Sequence, residues 1–343
     1  DGGGGGRRGK RPRFKVRRKE EAPDPVLSAH HSARFDPELH RKLVAAGANQ
    51  AESRTALDDM GRFANRQAHL LATHASRERA APAKVKLGAV EGAPGKVALS
   101  HAGTRVEVSE AHLGRLRELY ALHGGASGAG AGEHAFRAAA FCCLARYSAM
   151  QGTHLKAGGF QAAVPSSAFA VLESEFGVEA ELFASPLNCT LPRYLSAFPD
   201  TDAPFGARGD FFRFRPSSGG SFEANPPFCP PTVEAMAARL EELLTSVREP
   251  LSFAVVVPCW GKDVPAWAAL DRSAFARHHE RLRAGEHGFY QGAQHTRRQR
   301  RVQPANCDTS VFFLQNAAGA QRWPVTAEKA AALAAAFREE LPR

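Results

Sequence analysis

The chain has 343 residues, of which 43% are apolar, and it carries a formal net charge of +10 with a pI of about 9.6. This length and apolar content fit one large domain or two domains with a sizeable core. No apolar run approaches the roughly 20 residues that cross a bilayer, so no membrane-spanning segment is predicted. The positive charge favours a polyanionic partner such as nucleic acid, although it also suits a solvated basic surface.

The first 22 residues begin with a glycine run and continue with arginine or lysine at most positions between 7 and 19. Such a composition cannot bury a core, so residues 1–22 are predicted to form a disordered basic tail. The tail suits a nuclear localisation signal, an RNA-contacting arm or a solvated segment without a role. We favour the first interpretation, which predicts a nuclear protein.

Residues 23–130 are predicted to form a helical domain that includes a β-hairpin. Asp36 is a suitable N-cap, and Pro37 suits the first position of a helix. The pattern then predicts a second helix, a β-hairpin, a third helix and a loop, over residues 52–75, 84–108, 109–123 and 124–132.

Residues 131–343 show alternating helix and strand patterns. Helices are predicted over residues 133–147, 165–176, 232–246, 265–284 and 326–340. Strands are predicted over residues 179–183, 221–224, 251–257 and 308–314, with a further candidate at 208–214. The nearly continuous apolar run at 251–257 is typical of a strand buried on both faces. This alternation predicts an α/β fold with a mostly parallel sheet that is covered on both faces.

A rigid polar turn, Asn225-Pro226-Pro227-Phe228, follows the predicted strand at residues 221–224. Two successive prolines end both helix and strand, because they fix φ and lack the backbone N–H. Their carbonyls and the Asn225 side chain are hydrogen-bond acceptors, and Phe228 offers a flat apolar face. Two acceptors beside an aromatic ring suit an exocyclic amine on a planar base, although such a turn is often only a loop.

A second turn follows the predicted strand at residues 179–183, and it can offer backbone amides and an asparagine to a small cofactor. In a doubly wound sheet, both turns would face one crevice. The sequence contains no Walker P-loop, no G-x-G-x-x-G after a strand and no zinc-site spacing, so no metal site is predicted. Transfer of a methyl group to an exocyclic amine fits the two turns, since this chemistry needs mainly positioning. The residues of this second turn are Phe183, Ala184, Ser185, Pro186, Leu187 and Asn188.

Three further groups are candidates for substrate contact. Trp260 follows the buried strand and suits either base stacking or core packing. Residues 297–301 form a basic loop that suits RNA phosphates or a solvated surface. Polar side chains before Gly292 suit the lining of a pocket, and they are Glu286, His287 and Tyr290. Arginines on the second helix suit phosphates, although surface arginines are commonly only solvated; they are Arg54, Arg62 and Arg66.

From about residue 151 onwards, the chain resembles the phosphorylated-CTD-interacting factor 1 family of cap-specific adenosine N6-methyltransferases. The stretches that carry this resemblance are long and contain irregular polar residues. They are FGVEAELFASPLN, SAFPDTDAPFGARG, SGGSFEANPPF, EPLSFAVVVP, GAQH and SVFFLQN.

The resemblance implies a Rossmann-like methyltransferase domain over residues 131–343, joined to a helical domain that contacts RNA or the cap. It implies S-adenosyl-L-methionine as the cofactor and the 2′-O-methyladenosine after the N7-methylguanosine cap of mRNA as the substrate. The product would be N6,2′-O-dimethyladenosine. Residues 225–228 would be the catalytic motif, and residues 183–188 would bind the methyl donor.

Vertebrate members of the family carry an N-terminal WW domain that binds the phosphorylated polymerase tail. The three tryptophans of this chain lie late, at positions 260, 267 and 323. We therefore expect the WW domain to be absent, which places polymerase-tail binding in doubt.

Two alternatives stay open beside an active cap methyltransferase. One is a catalytically silent cap- or RNA-binding protein on the same fold, which the intact Asn-Pro-Pro-Phe turn disfavours. The other is an N6-adenine methyltransferase that acts on internal positions. Donor binding distinguishes the first alternative, and cap dependence distinguishes the second.

Overall fold

The computed structural model describes residues 37–75, 84–123, 132–151, 161–297 and 302–341. The chain forms two compact units, and the boundary between them in the sequence lies between Lys84 and Val85. The structure therefore does not divide near residue 130, where the sequence pattern suggested a boundary. The hairpin strands belong with the sheet unit instead, because they pack on its helices. The predicted basic tail lies outside the described residues.

The first unit contains helices α1 (Pro37–Ala45) and α2 (Gln50–Ala75). The side-chain oxygen of Asn49 accepts hydrogen bonds from the first turn of α2 and caps it, at 2.8 Å from the nitrogen of Ala51. The Nδ1 atom of His40 lies 3.0 Å from the Ser53 hydroxyl and joins the two helices. Although α2 has 26 residues, no helix in the described ranges is both long and apolar enough to cross a membrane.

The second unit begins with the antiparallel strands β1 (Lys86–Ala89), β2 (Lys96–His101) and β3 (Thr104–Ser109). The predicted hairpin is confirmed, and β3 extends it by a strand that the sequence analysis did not separate. Ala102 and Gly103 both have positive φ, of 46° and 80°, which is the backbone twist that a two-residue hairpin turn requires. Helices α3 (Glu110–His123) and α4 (Glu133–Gln151) follow.

Among the described residues, the strands of the central sheet are β4 (Val178–Glu181), β5 (Gly220–Ala224), β6 (Leu251–Pro258), β7 (Ala276–Leu282) and β10 (Thr309–Gln315). Their order across the sheet is β4-β5-β6-β10-β7. The first three strands in this order are parallel to one another, whereas β10 is antiparallel to both of its neighbours. Single-residue parallel bridges add Tyr194 and then Ala207 outside β4, so the strand order reverses between β4 and β5. A small hairpin pairs β8 (Gly288–Tyr290) with β9 (Val302–Pro304).

Helices cover both faces of this sheet, which confirms the α/β prediction, with a mixed rather than fully parallel sheet. All eight residues of β6 are buried, as the apolar run predicted. Its side chains alternate between two cores, so Phe253 and Val256 face opposite helix layers. Burying one such side chain stabilises the fold by about 1.5–3 kcal/mol. The helices of this unit after α4 are α5 (Ser166–Phe176), α6 (Pro199–Asp202), α7 (Pro230–Ser246), α8 (Pro265–Asp271), α9 (Ala317–Arg322) and α10 (Ala327–Glu339).

Two predicted elements are wrong. The helix expected over residues 265–284 ends at Asp271, and the rest of that range contains β7. Pairing with β10 overrides the polar sequence there, and the His279 ring stacks on Phe312 with centroids 4.3 Å apart. The strand candidate at 208–214 contains a single 3₁₀ turn, Phe211–Arg213, which Asp210 caps through the Arg213 backbone nitrogen.

A buried hydrogen bond ties α4 to α6. The Tyr147 hydroxyl donates to the Asp202 carboxylate at 2.5 Å, and the Thr201 hydroxyl donates to the same group at 3.1 Å. Asp202 is completely buried. Burial raises its pKa from 3.8 to about 6, because the charged form loses its hydration.

The substitution Asp202→Asn should therefore change how the free energy of unfolding depends on pH. A raised pKa favours the folded state below about pH 4, and this contribution is lost as the pH rises through 6. Asparagine carries no charge and keeps one of the two accepting oxygens, so the stability of the variant relative to the parent should rise by up to about 3 kcal/mol as the pH increases from 4 to 7. Urea unfolding at several pH values measures this. Asp263→Asn, at an exposed position between β6 and α8, should show no such trend, and a pH-independent difference for Asp202→Asn would contradict the assignment.

Candidate active site

The two predicted turns lie at the carboxyl ends of β4 and β5, where the strand order reverses. Open α/β sheets bind ligands at this position, because the chain leaves the two strands in opposite directions. Both turns bond to one short segment, residues 161–163. The side-chain amide of Asn188 donates to the Gln161 carbonyl at 3.3 Å, and that of Asn225 donates to the Ala162 carbonyl at 3.2 Å. The segment therefore joins the two turns.

Asn225 is held in one orientation by its bond to Ala162. A carbonyl can only accept, so the amide nitrogen of Asn225 must face Ala162 and the Oδ1 atom must face away from it. Pro226 is buried, whereas Phe228 is 42% exposed. The Phe228 ring meets Phe289 edge to face at 6.3 Å. The turn thus presents an oriented acceptor and an accessible aromatic face.

Only one of the two proline carbonyls is open for an amine. The Pro227 carbonyl accepts a hydrogen bond from the Cys229 backbone nitrogen at 2.7 Å, as the chain turns into α7. The Pro226 carbonyl accepts no hydrogen bond from the described residues. The expectation that both carbonyls are free is therefore wrong. The available pair of acceptors is Asn225 Oδ1 and the Pro226 carbonyl.

The turn after β4 satisfies its own backbone amides. The Asn188 side-chain oxygen accepts from the Ser185 nitrogen at 2.7 Å and from its hydroxyl at 2.8 Å. Ser185 in turn accepts from the nitrogens of Leu187 and Cys189. The amides of residues 184, 185, 187, 188 and 189 are thus engaged within the fold, and the binding of a cofactor by residues 183–188 stays a prediction. Ala184, Ser185, Pro186 and Leu187 are all buried.

The accessible part of this turn is an aromatic one. Phe183 is partly buried, and its ring centroid lies 4.8 Å from that of Phe211 and 6.4 Å from that of Phe212. Phe212 is 45% exposed. These rings form an apolar shelf at the carboxyl end of β4.

Helix α3 supports the same turn, a contact that the sequence did not reveal. The His112 ring donates to the Leu187 carbonyl at 3.2 Å, and the Arg115 guanidinium donates to the Cys189 carbonyl. The sequence carries no local signal for these contacts, because about 74 residues separate the two partners along the chain.

Of the remaining candidates in the sheet unit, Tyr290 lines a cleft. Trp260 packs against the core on the α7 side, and Glu286 is exposed with an ion pair to Arg338 at 3.6 Å. The buried His287 ring donates to the Arg283 carbonyl and accepts from the Thr309 hydroxyl, each at 2.7 Å. Burial lowers the His287 pKa, so this ring is a neutral structural group.

The cleft lies between the turn after β4, the segment 161–163 and the loop after β8. Tyr290 contributes to its wall, and its hydroxyl is bonded to Glu340 at the end of α10. Sequence reasoning missed two other lining residues, Gln291 and His295. Burial and the neighbouring His112 lower the pKa of His295 to about 4.

The predicted phosphate contacts are arginines of α2 and of the basic loop. Arg54, Arg62 and Arg66 lie on α2 in the first unit and are exposed, and Arg62 pairs with Asp59 at 2.5 Å. Of the predicted basic loop at 297–301, only Arg297 belongs to the described residues. Their contact with RNA stays a prediction.

Two buried glutamates lie opposite each other on β4 and β5, just before the turns. Glu181 accepts hydrogen bonds from the backbone nitrogens of Thr190 and Leu191, both at 2.6 Å. The Oε1 atom of Glu223 has no hydrogen bond among the described residues. Burial, and then the charge of Glu181, raise the pKa of Glu223 well above its usual value, so Glu223 is a neutral acid. In the described ranges, no three His, Cys, Asp or Glu residues form a group suited to a metal ion.

The same substitution at these two positions should therefore have different effects on stability. Glu181→Met leaves two buried N–H groups without an acceptor, and should lower the free energy of unfolding by about 2 kcal/mol or more. Glu223→Met removes an unpaired buried acid and should be neutral or stabilising. Urea unfolding at pH 7.5 compares the two variants. Equal losses would contradict the assigned roles.

Comparison with known proteins places this site in a family context. Residues 115–292 match the family model described as phosphorylated CTD interacting factor 1 WW domain. A mouse relative, described as mRNA (2′-O-methyladenosine-N(6)-)-methyltransferase, is 41% identical over 246 residues, which are 71% of this chain and 34% of the relative. A human relative with the same description is 45% identical over 202 residues, or 58% and 29% of the two chains. The chain thus spans about a third of the length of these relatives.

The expectation that the family's WW domain is absent is wrong, because the matching family model is described as that WW domain. In the structure, the matched residues begin within α3, end after β8 and include strands β4 to β8. The doubt about polymerase-tail binding depended only on the expected absence, and it no longer has a basis.

Proposed function

This chain belongs to the phosphorylated CTD interacting factor 1 WW domain family, and from that premise we propose that it is a methyltransferase for capped mRNA. Its substrate is the 2′-O-methyladenosine next to the N7-methylguanosine cap, and its product is N6,2′-O-dimethyladenosine. The observation that carries this proposal is the fixed orientation of Asn225, whose amide bond to Ala162 directs Oδ1 away as an acceptor.

The turn after β5 has the groups that an adenine amine requires. The amine carries two N–H donors, and Asn225 Oδ1 and the Pro226 carbonyl are two acceptors on adjacent residues. The amine nitrogen is a weak nucleophile because its lone pair is delocalised into the ring. Two acceptors that hold both hydrogens favour a pyramidal nitrogen whose lone pair is directed out of the ring plane.

The exposed face of Phe228 supports the same role. An aromatic ring that is 42% exposed beside two acceptors can stack on a purine while the acceptors hold its amine. Base–aromatic stacking contributes about 1–3 kcal/mol. Stacking fixes the plane of the base, and the acceptors fix its rotation within that plane.

S-adenosyl-L-methionine is the proposed cofactor, and it supplies a methyl group activated by a sulfonium when it is bound. The residues of the site fit its parts. Phe183 and Phe212 form an apolar shelf that suits its adenine ring. The unbonded Oε1 atom of Gln291 in the cleft suits a hydrogen-bond donor of the ligand. The turn at residues 185–188 shapes the space between them.

The basic composition of the chain supports RNA as the partner. Arg54, Arg62 and Arg66 on α2 are exposed cations that suit phosphates of the cap or transcript. The arginine- and lysine-rich residues 7–19 suit a nuclear localisation signal, so we include a nuclear location in the proposal.

Methyl transfer to three short RNAs tests the proposal. One RNA carries the cap followed by 2′-O-methyladenosine, the second has the same sequence without a cap, and the third carries the cap followed by guanosine. Activity on the first alone supports the proposal. Equal activity on the first two would favour an internal adenine methyltransferase, and inactivity on all three would favour an RNA-binding protein.

Asn225→Ala should lower kcat on the first RNA by about 100-fold or more, because it removes an acceptor that orients the amine. Asn225→Asp should also be impaired, since its carboxylate would face the Ala162 carbonyl oxygen. Thermal unfolding should stay near the parent value for both variants. The control is Asn306→Ala, at an exposed asparagine outside the site. Near-parent turnover of Asn225→Ala would remove this turn from the mechanism.

A further inference from the structure

The segment 161–163 holds both asparagines of the site, so the site depends on how this segment is itself held. Its carbonyls accept hydrogen bonds from the side-chain amides of Asn188 and Asn225. Gln161 has a positive φ of 58°, a left-handed backbone conformation that few residues other than glycine adopt. Contacts with the rest of the fold must therefore keep the segment in this shape.

One such contact is a pair of backbone hydrogen bonds with Tyr290. The Ala163 nitrogen donates to the Tyr290 carbonyl at 3.0 Å, and the Tyr290 nitrogen donates to the Ala163 carbonyl at 2.8 Å. The chain then continues from Ala163 into α5, which begins at Ser166. The path of the segment is therefore fixed by the backbone of Tyr290 and by the first turn of α5.

The carboxylate of Glu340 joins these two points. Its Oε1 atom accepts from the Ser167 backbone nitrogen at 2.9 Å and from the Ser167 hydroxyl at 3.0 Å. Its Oε2 atom accepts from the Tyr290 hydroxyl, which also lies 3.2 Å from the Ser166 hydroxyl. Pro165 precedes α5 and provides no side-chain cap, so Glu340 supplies the capping acceptor from the other end of the chain.

A carboxylate suits this double attachment. Its two oxygens accept hydrogen bonds in different directions, and hydrogen bonds to a carboxylate are stronger than those to a neutral acceptor. Its negative charge is also favourable at the N-terminus of a helix such as α5. Glu340 thus ties the end of α10, the start of α5 and the side chain of Tyr290 to one another.

We propose that Glu340 is a positioning residue for the methyl-acceptor site. By holding Tyr290 and the start of α5 together, it keeps the Ala162 carbonyl in place against the amide of Asn225. This inference rests on the proposed function, which gives Asn225 its role in orienting the adenine amine. Misplacement of a reacting group by about 1 Å can lower a rate by about 100-fold, so a residue that acts only through the segment can still control turnover.

Substitution of Glu340 in the full chain tests this role, with RNA that carries the cap followed by 2′-O-methyladenosine. Glu340→Met keeps the side-chain length without either acceptor, and it should lower kcat by about 10-fold or more with KM for the RNA near the parent value. Glu340→Gln should recover part of the loss, because its oxygen can accept from Ser167 while its nitrogen donates to the Tyr290 hydroxyl. Glu339→Met, at an exposed glutamate one position earlier, is the matched control and should leave kcat unchanged.

A double-mutant cycle distinguishes positioning from a general loss of stability. If Glu340 acts through Asn225, Glu340→Met should have little further effect on kcat in a chain that already carries Asn225→Ala. Losses that multiply in the double variant would overturn the inference, because they would show that the two residues act independently. Parent-like turnover of Glu340→Met would overturn it as well.

The side-chain amide of Asn225 gives a readout that needs no turnover. Its N–H signals in the NMR spectrum of the 15N-labelled chain are identified by their loss in Asn225→Ala. Glu340→Met should shift these signals and accelerate their exchange with water, because the bond to Ala162 loosens, whereas Glu339→Met should leave them unchanged.

Unchanged Asn225 signals in Glu340→Met would overturn the inference even if the parent chain is an active methyltransferase. If the parent chain instead transfers no methyl group to capped RNA, the proposed function fails. The Asn225 signals then decide by themselves whether Glu340 holds this side chain, so the two failures are distinguishable.

Discussion

The parallel pairing of β4 with β5 is the constraint on which the site depends. The strand order reverses at this pair, so the chain leaves β4 toward Tyr194 and Ala207 and leaves β5 toward α7. Such a reversal leaves a gap between the two connections at the carboxyl ends of the strands. The segment 161–163 crosses this gap, and its backbone carbonyls are the acceptors that fix Asn188 and Asn225. Secondary structure therefore positions the site, and two side-chain amides complete it.

The hydrogen bonds of the site separate its structural groups from its reactive groups. Ser185 and Asn188 satisfy each other and rigidify one turn, and His287 has both ring nitrogens engaged. In the site itself, the open acceptors include Asn225 Oδ1, which faces away from Ala162, and Gln291 Oε1, which lies in the cleft wall. A buried oxygen or nitrogen that has no hydrogen-bond partner in the protein is a more informative marker of function than the type of a polar residue alone.

Sequence reasoning succeeded where the determining interaction is local. The apolar run of β6 predicted a strand buried on both faces, because alternating side chains of a central strand meet two cores. The prolines at 226 and 227 predicted the turn, because their restricted φ and missing N–H act within two residues. It failed for β7, whose polar residues form a strand only because β10 pairs with them.

Long-range contacts also explain which site residues were missed. Gln291 belongs to no motif, and His295 entered the sequence analysis only within the GAQH stretch, without a role; both line the cleft because the loop after β8 folds beside Asn188. His287 was chosen for its chemistry, which is suitable, but the fold engages both of its nitrogens. A residue type indicates which hydrogen bonds are available, and only the fold shows which are already used.

The proline that follows Asn225 also affects the chemical stability of this asparagine. Asparagine commonly deamidates when the next backbone nitrogen attacks the side-chain carbonyl and closes a cyclic imide. The nitrogen of Pro226 carries no hydrogen and cannot complete that ring closure. Deamidation would have replaced the amide that donates to Ala162 with an oxygen that repels it. The proline that shapes the turn therefore also protects its key side chain from spontaneous chemical damage over the lifetime of the molecule.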